Sequence, residues 1–251
     1  MPTPDRLDLT LRLVRGSGRL TLADLAERLG VSEMTVRRDL DQLQSQGLVQ
    51  RIRGGAVALD VPVEEAGFNV RAPWQTTAKQ HIAQAVAALI EPGSTVLLDA
   101  GTTTAAVAAV LSPPLTVAVL SLQAAALLAD RPGIRLLLIG GESRPGERSL
   151  VGPLALNALD QLRFDTFVMS IGAVHHELGW SEFDLDDAAV KRAALRRAAR
   201  TIVAADATKL GVQAFARVAP LSAVDTLVTS PLEPSATADA LRAAGVHLLE
   251  T

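Results

Sequence analysis

The chain has 251 residues, 49% of them hydrophobic, no cysteine and a formal net charge of −3. That length accommodates a small domain plus a larger one, and without cysteine there is neither a disulfide framework nor a thiolate metal site, which fits a reducing compartment. The longest apolar candidate, 115–129, is broken by Thr116, Ser121 and Gln123, and no charged-then-apolar leader opens the chain. The expectation is a soluble protein of the cytoplasm, off the membrane.

The first informative stretch is 21–40, which reads as two short amphipathic helices joined by a three-residue turn, the spacing of a helix-turn-helix. Leu22, Leu25, Ala26 and Leu29 fall at i, i+3, i+4 and i+7, and Gly30 supplies a left-handed terminator. Ser32 is placed to cap the second helix, which buries Val36, Leu40 and Leu43. Its outward face carries Met34, Arg38 and Ser45, with Thr35 and Gln42 on one shoulder and Arg37 on the other. Arginine pairs with guanine edges, glutamine with adenine, and the threonine methyl with the thymine methyl. A plainer alternative leaves Arg37 and Arg38 solvating a surface with Asp39 and Asp41 as partners; the two-helix grammar favours the DNA reading.

Residues 48–53 then read as a strand, Gly54-Gly55 as a two-residue hairpin turn and 56–59 as the return strand. Such a wing carries Arg51 and Arg53 toward phosphates, where contacts fix register. The expected DNA-contacting set is Ser32, Met34, Thr35, Arg37, Arg38, Gln42, Arg51, Arg53 and Gly54. Net charge argues against a nucleic-acid partner, but residues 1–60 hold nine arginines against eight acidic residues, so the basic surface must be local and binding strongly salt-dependent. Pro62 and the acidic residues Asp60, Glu64 and Glu65 break periodicity and suit a linker. The domains are read as 1–58 for the winged unit, 59–74 for the linker and 75–251 for the larger unit.

From residue 79 the chain alternates: helix over 79–90, strand over 94–98, helix over 103–111, then strands at 115–120, 134–139, 164–171, 201–205, 225–228 and 246–249. Alternation of this kind implies an α/β domain with a mostly parallel sheet covered by helices on both faces. Ligands in such sheets sit beyond the strands' carboxyl ends, and four polar loops fall there, at 99–104, 140–144, 172–175 and 206–209. In the first, Gly101 precedes Thr102, Thr103 and Thr104 at a helix start, which offers free N–H groups and hydroxyls to an oxyanion. Simple capping by Thr102 or Thr103 accounts for one hydroxyl, so anion binding is favoured. A helix over 187–200, acidic at Asp186 and Asp187 and basic at Arg196, Arg197 and Arg200, follows the dipole rule and is given a structural or interface role. His175 and His176 adjoin Glu177, but adjacent loop residues rarely chelate one ion, so no metal is expected.

The run Leu25-Ala-Glu-Arg-Leu-Gly-Val-Ser-Glu-Met-Thr-Val-Arg-Arg-Asp-Leu-Asp-Gln-Leu43 with Arg51-Ile-Arg-Gly-Gly-Ala56 resembles the DeoR family of bacterial transcriptional regulators. The resemblance extends over nearly the whole chain through Arg71, Lys79-Gln-His-Ile-Ala83, the 99–104 loop, Gly140-Gly141 with Arg144, Leu150-Val-Gly152, Phe164-Asp-Thr-Phe167 and Asp206-Ala-Thr-Lys-Leu-Gly211. It implies a sensor domain related to ribose-5-phosphate isomerase that binds a phosphorylated sugar or related metabolite. On that resemblance Lys79 and Thr102, Thr103 and Thr104 hold the phosphate, Asp99, Arg144 and Lys209 lie nearer the sugar, and Gly101, Gly140, Gly141, Gly172 and Asp206 belong to the same strand-end loops. Two departures stand out. Val119-Leu-Ser121 replaces the usual Thr-Asn-Ser, putting apolar Leu120 at an expected polar contact, and Trp180-Ser181 replaces a smaller pair, with the indole expected to cover the pocket.

The competing reading is a sugar-phosphate isomerase, which needs a carboxylate base and an enediolate stabiliser. The segment after the 164–171 strand reads Gly172-Ala-Val-His-His-Glu177, where only Glu177 is acidic, so a non-enzyme without cofactor is expected. The sequence therefore points to a repressor of a carbohydrate operon, reading operator DNA as a homodimer or homotetramer and released by a phosphorylated sugar. One recognition helix covers too few base pairs to be specific alone.

Overall fold

The computed structural model describes residues 3–45, 48–58 and 67–251, which form two compact units, Met1–Thr76 and Thr77–Thr251. In the first, α1 (Thr3–Ser17), β1 (Arg19–Thr21), α2 (Leu22–Leu29) and α3 (Glu33–Ser45) precede a hairpin of β2 (Val49–Ile52) and β3 (Gly55–Ala58). Thr21 and Asp24 make a reciprocal capping box at the start of α2, and Gly30, at φ 65, ends it. Ser32 Oγ accepts the Thr35 N–H at 3.3 Å, the cap expected for α3. Leu25 and Leu29 of α2 and Val36, Leu40 and Leu43 of α3 pack against Leu7, Leu11 and Val14 of α1, a helix the sequence reading left unassigned.

The wing differs by one residue from expectation. Ile52 pairs with Gly55, so the turn is Arg53-Gly54 and Gly55 opens β3. The cause is β1, which pairs with β3 on its other side; a Cβ at Gly55 would lie 2.1 Å from the Leu20 carbonyl oxygen. The shift sets Arg53 at the exposed tip. The expected linker residues 59–66, with Asp60, Pro62, Glu64 and Glu65, lie outside the described residues, as does Leu59 of the return strand. Beyond them α4 (Phe68–Arg71) forms and Trp74 packs into the same core as Leu25, so 67–74 is part of the first unit rather than free tether.

The second unit is built on a seven-stranded parallel sheet in the order β15-β14-β12-β9-β4-β5-β6. Its elements are α5 (Thr76–Ala88), β4 (Thr95–Leu98), α6 (Thr102–Val110), β5 (Leu115–Val119), α7 (Leu122–Leu128), β6 (Ile134–Leu138), the short antiparallel pair β7 (Glu142–Ser143) and β8 (Leu150–Val151), α8 (Pro153–Asp160) and β9 (Phe164–Met169). They continue with β10 (Ala173–His175), β11 (Gly179–Glu182), α9 (Leu185–Leu195), β12 (Ala198–Ala204), β13 (Ala216–Ala219), β14 (Thr226–Thr229), α10 (Ala236–Ala243) and β15 (His247–Glu250). Alternation along the central strands feeds two cores: Leu97, Phe167 and Met169 enter one, and Val96, Leu98 and Val168 the other.

Two expectations are corrected. The helix read as 187–200 ends at Leu195, because Ala198, Arg200 and the residues after them pair with β9; Arg200 thus donates to the Leu89 carbonyl at 2.8 Å and is no helix-end charge. Trp180 is no pocket cover, since it is fully buried in the core with Nε1 donating to the Leu221 carbonyl at 3.1 Å.

The strand order decides where a ligand can sit. From β4 the chain builds outward through β5 and β6, and from β9 outward the other way through β12, β14 and β15. The connections therefore diverge between β4 and β9, and in parallel sheets the carboxyl ends at such a divergence are where ligands bind.

Candidate functional site

On α3, Arg37, Arg38, Met34 and Gln42 are exposed. Asp39, one of the two acids available to neutralise the arginines, instead turns inward and is only 3% exposed in its side chain. It takes a two-pronged pair from Arg6 of α1, Nε to Oδ2 at 2.6 Å and Nη2 to Oδ1 at 3.0 Å, which raises the guanidinium pKa above its usual value. The second acid, Asp41, bonds Arg51 of β2, whose backbone N–H is also held by Gln44 Oε1 at 2.8 Å. Both acids are thus used elsewhere, and among the described residues no carboxylate pairs with Arg37 or Arg38. Ser32 and Thr35 serve the helix cap, their hydroxyls 3.0 Å apart. The exposed face carries Met34, Arg37, Arg38 and Gln42, with Arg53 and Gly54 at the wing tip. It is a convex helix with cationic donors, suited to a major groove.

In the second unit, Asp99 follows β4 and Ser170 follows β9. Gly101 is the N-cap of α6 at φ 132, a value that favours glycine, and a Cβ there would meet Ser170 Oγ at 3.0 Å. No side chain caps α6, so the plain capping role for Thr102 or Thr103 does not hold. Thr104 Oγ1 donates to the Gly101 carbonyl at 3.1 Å. The hydroxyls of Thr102 and Thr103, both largely buried, have no hydrogen-bond partner among the described residues. An uncapped helix start with two spare hydroxyls beside a strand end is chemically a seat for an oxyanion.

Against this seat lies a buried ionic cluster that sequence reasoning missed. Lys191 of α9 bonds Asp99 and stands 3.4 Å from Glu182 Oε1 of β11. Asp99 has two further donors: Oδ1 accepts the Ala100 N–H at 2.8 Å and Oδ2 the Ser170 N–H at 3.0 Å, while the Ser170 hydroxyl, 3.1 Å from Oδ2, is closer to the Ala100 carbonyl oxygen at 2.5 Å. Glu182 Oε1 accepts the Gly172 N–H at 2.9 Å. Burial alone would lower the Lys191 pKa, but Asp99, Glu182 and Asp187 hold it above the usual lysine range. Burial pushes the Asp99 and Glu182 carboxyls up against the pull of Lys191.

Arg144 bridges Asp184 Oδ2 at 3.1 Å and Asp187 Oδ2 at 3.0 Å, fastening the 140–144 loop to the start of α9. Gly141 is required where β8 crosses, since a Cβ would lie 2.5 Å from the Val151 carbonyl oxygen, while Gly140 is exposed at φ 80. At the end of β12, Asp206 caps the turn 207–209 by accepting the Thr208 N–H at 3.0 Å, and Lys209 is half-buried. Lys79 is buried on α5. Leu120 is a core residue.

The sequence expectation that only Glu177 supplies acidity at the β9 end is corrected: carboxylates converge there from β4, β11 and α9, while Glu177 sits exposed in the β10–β11 turn. One signal for Lys191 existed, its place three residues from both Ala188 and Ala194 on the helix's buried stripe. The His175, His176 and Glu177 ligand atoms lie within 4.8 Å of one another, closer than the sequence argument assumed. His175 Nδ1 is occupied, accepting the Glu177 N–H at 3.2 Å.

Comparison with known proteins agrees with this division. Residues 6–61 match the DeoR-like helix-turn-helix domain and residues 74–231 the DeoR C terminal sensor domain. The chain is 33% identical over 246 residues to the HTH-type transcriptional repressor CsqR of Escherichia coli (strain K12), covering 97% of this chain and 94% of that one. It is 32% identical to the glycerol-3-phosphate regulon repressor of the same strain, covering 89% of each. Among solved structures, a D-ribose-5-phosphate isomerase in complex with phospho-erythronic acid overlaps 53% of this chain and 52% of its own at 20% identity and a TM-score of 0.39. With both domains matched in order and relatives aligned almost end to end, the chain belongs to the DeoR family of transcriptional regulators.

Proposed function

We propose that this protein is a cytoplasmic, sequence-specific repressor of a carbohydrate-metabolism operon, binding its operator as a homodimer or homotetramer and released by a phosphorylated sugar or related small anion. The winged domain, 1–58, reads DNA through Met34, Arg37, Arg38 and Gln42, with Arg53 on phosphate. The sensor domain, 75–251, seats the phosphate on Gly101, Thr102 and Thr103, with Lys79 and Lys209 as cationic contributors. The observation that carries the reading is the uncapped start of α6, with two spare hydroxyls, in the same chain as a recognition helix whose exposed Arg37 and Arg38 pair with no carboxylate among the described residues. Release requires the effector to favour the state that binds DNA weakly, and a coupling of about 1–3 kcal/mol changes operator affinity roughly 5–150-fold.

An isomerase shares the need for a phosphate seat, but proton abstraction needs a carboxylate free to take a proton from carbon. Asp99 already accepts from two backbone N–H groups and from Lys191, so it is not that base; Glu182 keeps one oxygen unpaired among the described residues, and turnover is the outcome that would give it that role. Among the described residues no helix is long and apolar enough to cross a membrane. The test is a thermal-shift screen over pentose, hexose and triose phosphates, followed by gel retardation of the upstream region of the neighbouring operon. A ligand that raises the melting temperature and releases the DNA supports the proposal. Turnover of the sugar phosphate, or DNA retention unaffected by every compound that binds, overturns it.

A further inference from the structure

The ionic cluster has one outward-facing member. Glu182 is 13% exposed in its side chain, against 4% for both Lys191 and Asp99. Its Oε1 is engaged by the Gly172 N–H and Lys191, whereas Oε2 has no hydrogen-bond partner among the described residues. The carboxylate is wedged over the end of β9: a Cβ on Gly172 would lie 2.7 Å from Oε2 and 3.0 Å from the Phe183 ring. Asp99, which anchors the same lysine, stands two residues before Gly101, the N-cap of the proposed phosphate seat. A partly exposed carboxylate oxygen with no protein donor is free to accept hydroxyl or amide hydrogens from a ligand.

The surroundings also set the sign of what is accepted. Asp99 and Glu182 are paired only with Lys191, Arg144 is already shared between Asp184 and Asp187, and Lys79 and Lys209 are assigned to the phosphate, so none of these cations is left over for a second anionic group. A second anionic group placed beside the phosphate would meet uncompensated carboxylates, while neutral hydroxyls would meet acceptors. We infer that Glu182, held in place by Lys191, is a specificity residue that accepts hydrogen bonds from the hydroxyls of a neutral phosphorylated sugar or polyol and excludes phosphorylated sugar acids. This rests on the phosphate seat proposed above.

Calorimetric titration of the full chain tests it with inorganic phosphate and with matched pairs: glycerol 3-phosphate against 3-phosphoglycerate, and glucose 6-phosphate against 6-phosphogluconate. Wild-type protein is expected to bind the neutral member of at least one pair roughly 10–100-fold more tightly than inorganic phosphate or the acid, the worth of a hydrogen bond to a charged group. In Glu182→Gln that preference should fall below about threefold, while inorganic phosphate binds at least as tightly as before. Equal wild-type affinity for sugar phosphate and sugar acid, or an undiminished preference in Glu182→Gln, overturns the inference and leaves the phosphate seat standing. No binding of any phosphate compound by the wild type removes the seat and the inference together. Should Glu182→Gln fail to fold, the wild-type preference within the pairs alone decides.

Discussion

Replacing Asp39 by alanine tests whether the recognition helix is held by the ion pair assigned to it. The pair with Arg6 is two-pronged, at 2.6 and 3.0 Å, with side chains only 3% and 13% exposed. Removing one partner of a buried pair costs about 3–5 kcal/mol, mostly because the surviving charge is left without compensation. Arg6 keeps a narrow outlet to water, so the lower end, about 3 kcal/mol, is expected for Asp39→Ala. At roughly 0.05–0.15 kcal/mol per residue, a unit of this size has only about 4–11 kcal/mol in total. The substitution therefore removes a large share of the first unit's stability and little of the second's. Because two units need not unfold together, the assay is native-state hydrogen exchange read by peptide. Protection over 20–45 should drop roughly 100-fold, the equivalent of about 3 kcal/mol, with 95–110 unchanged, and the double variant Arg6→Met, Asp39→Leu should recover most of it. Unaltered protection over 20–45 in Asp39→Ala would refute the reasoning.

Arg38→Ala should cost about 1–3 kcal/mol of discrimination at one base pair of the operator without altering folding, and an unchanged footprint would remove Arg38 from the reading face. Arg53→Ala should weaken binding evenly across sequences and lower the slope of log affinity against log salt by about one; a sequence-selective loss would contradict its place on phosphate. Lys191 is held charged above the usual lysine range, so its stabilising contribution is complete below the unfolded value of about 10.4 and is lost only as pH rises through the raised folded value. Lys191→Met should accordingly cost the second unit about 3–5 kcal/mol at pH 7. The burial-raised Asp99 and Glu182 carboxyls can then take up protons, so the deficit should shrink as pH falls below 7. A deficit independent of pH, measured by urea unfolding, would contradict the assignment.

The helix-turn-helix was legible because its signals are local: the Ser32 cap, Gly30 and the i, i+4 leucines all act within one or two turns. The turn was misplaced by one residue because Gly54 and Gly55 are equally permissive, and only the crossing of β1 separates them. The strands of the parallel sheet were legible from their apolar runs. The 198–200 segment was not, since its alanines and arginines favour a helix until pairing with Phe164 and Thr166 decides otherwise. The uncapped start of α6 was visible as glycine followed by three threonines, yet the ionic cluster beside it was hidden. Lys191 and Asp99 are 92 positions apart, and only the strand order brings α9, β11 and the end of β4 together.

On the proposed function, anion binding at the start of α6 and DNA grip by the winged unit are linked in one chain. The most direct measurement is the operator dissociation constant with and without a saturating phosphorylated sugar found by the screen, repeated with Thr103→Val. A roughly 5–150-fold weakening is expected in wild type and little or none in Thr103→Val, whose DNA affinity without sugar stays at the wild-type value. An operator affinity that does not change while the sugar phosphate is demonstrably bound would contradict it.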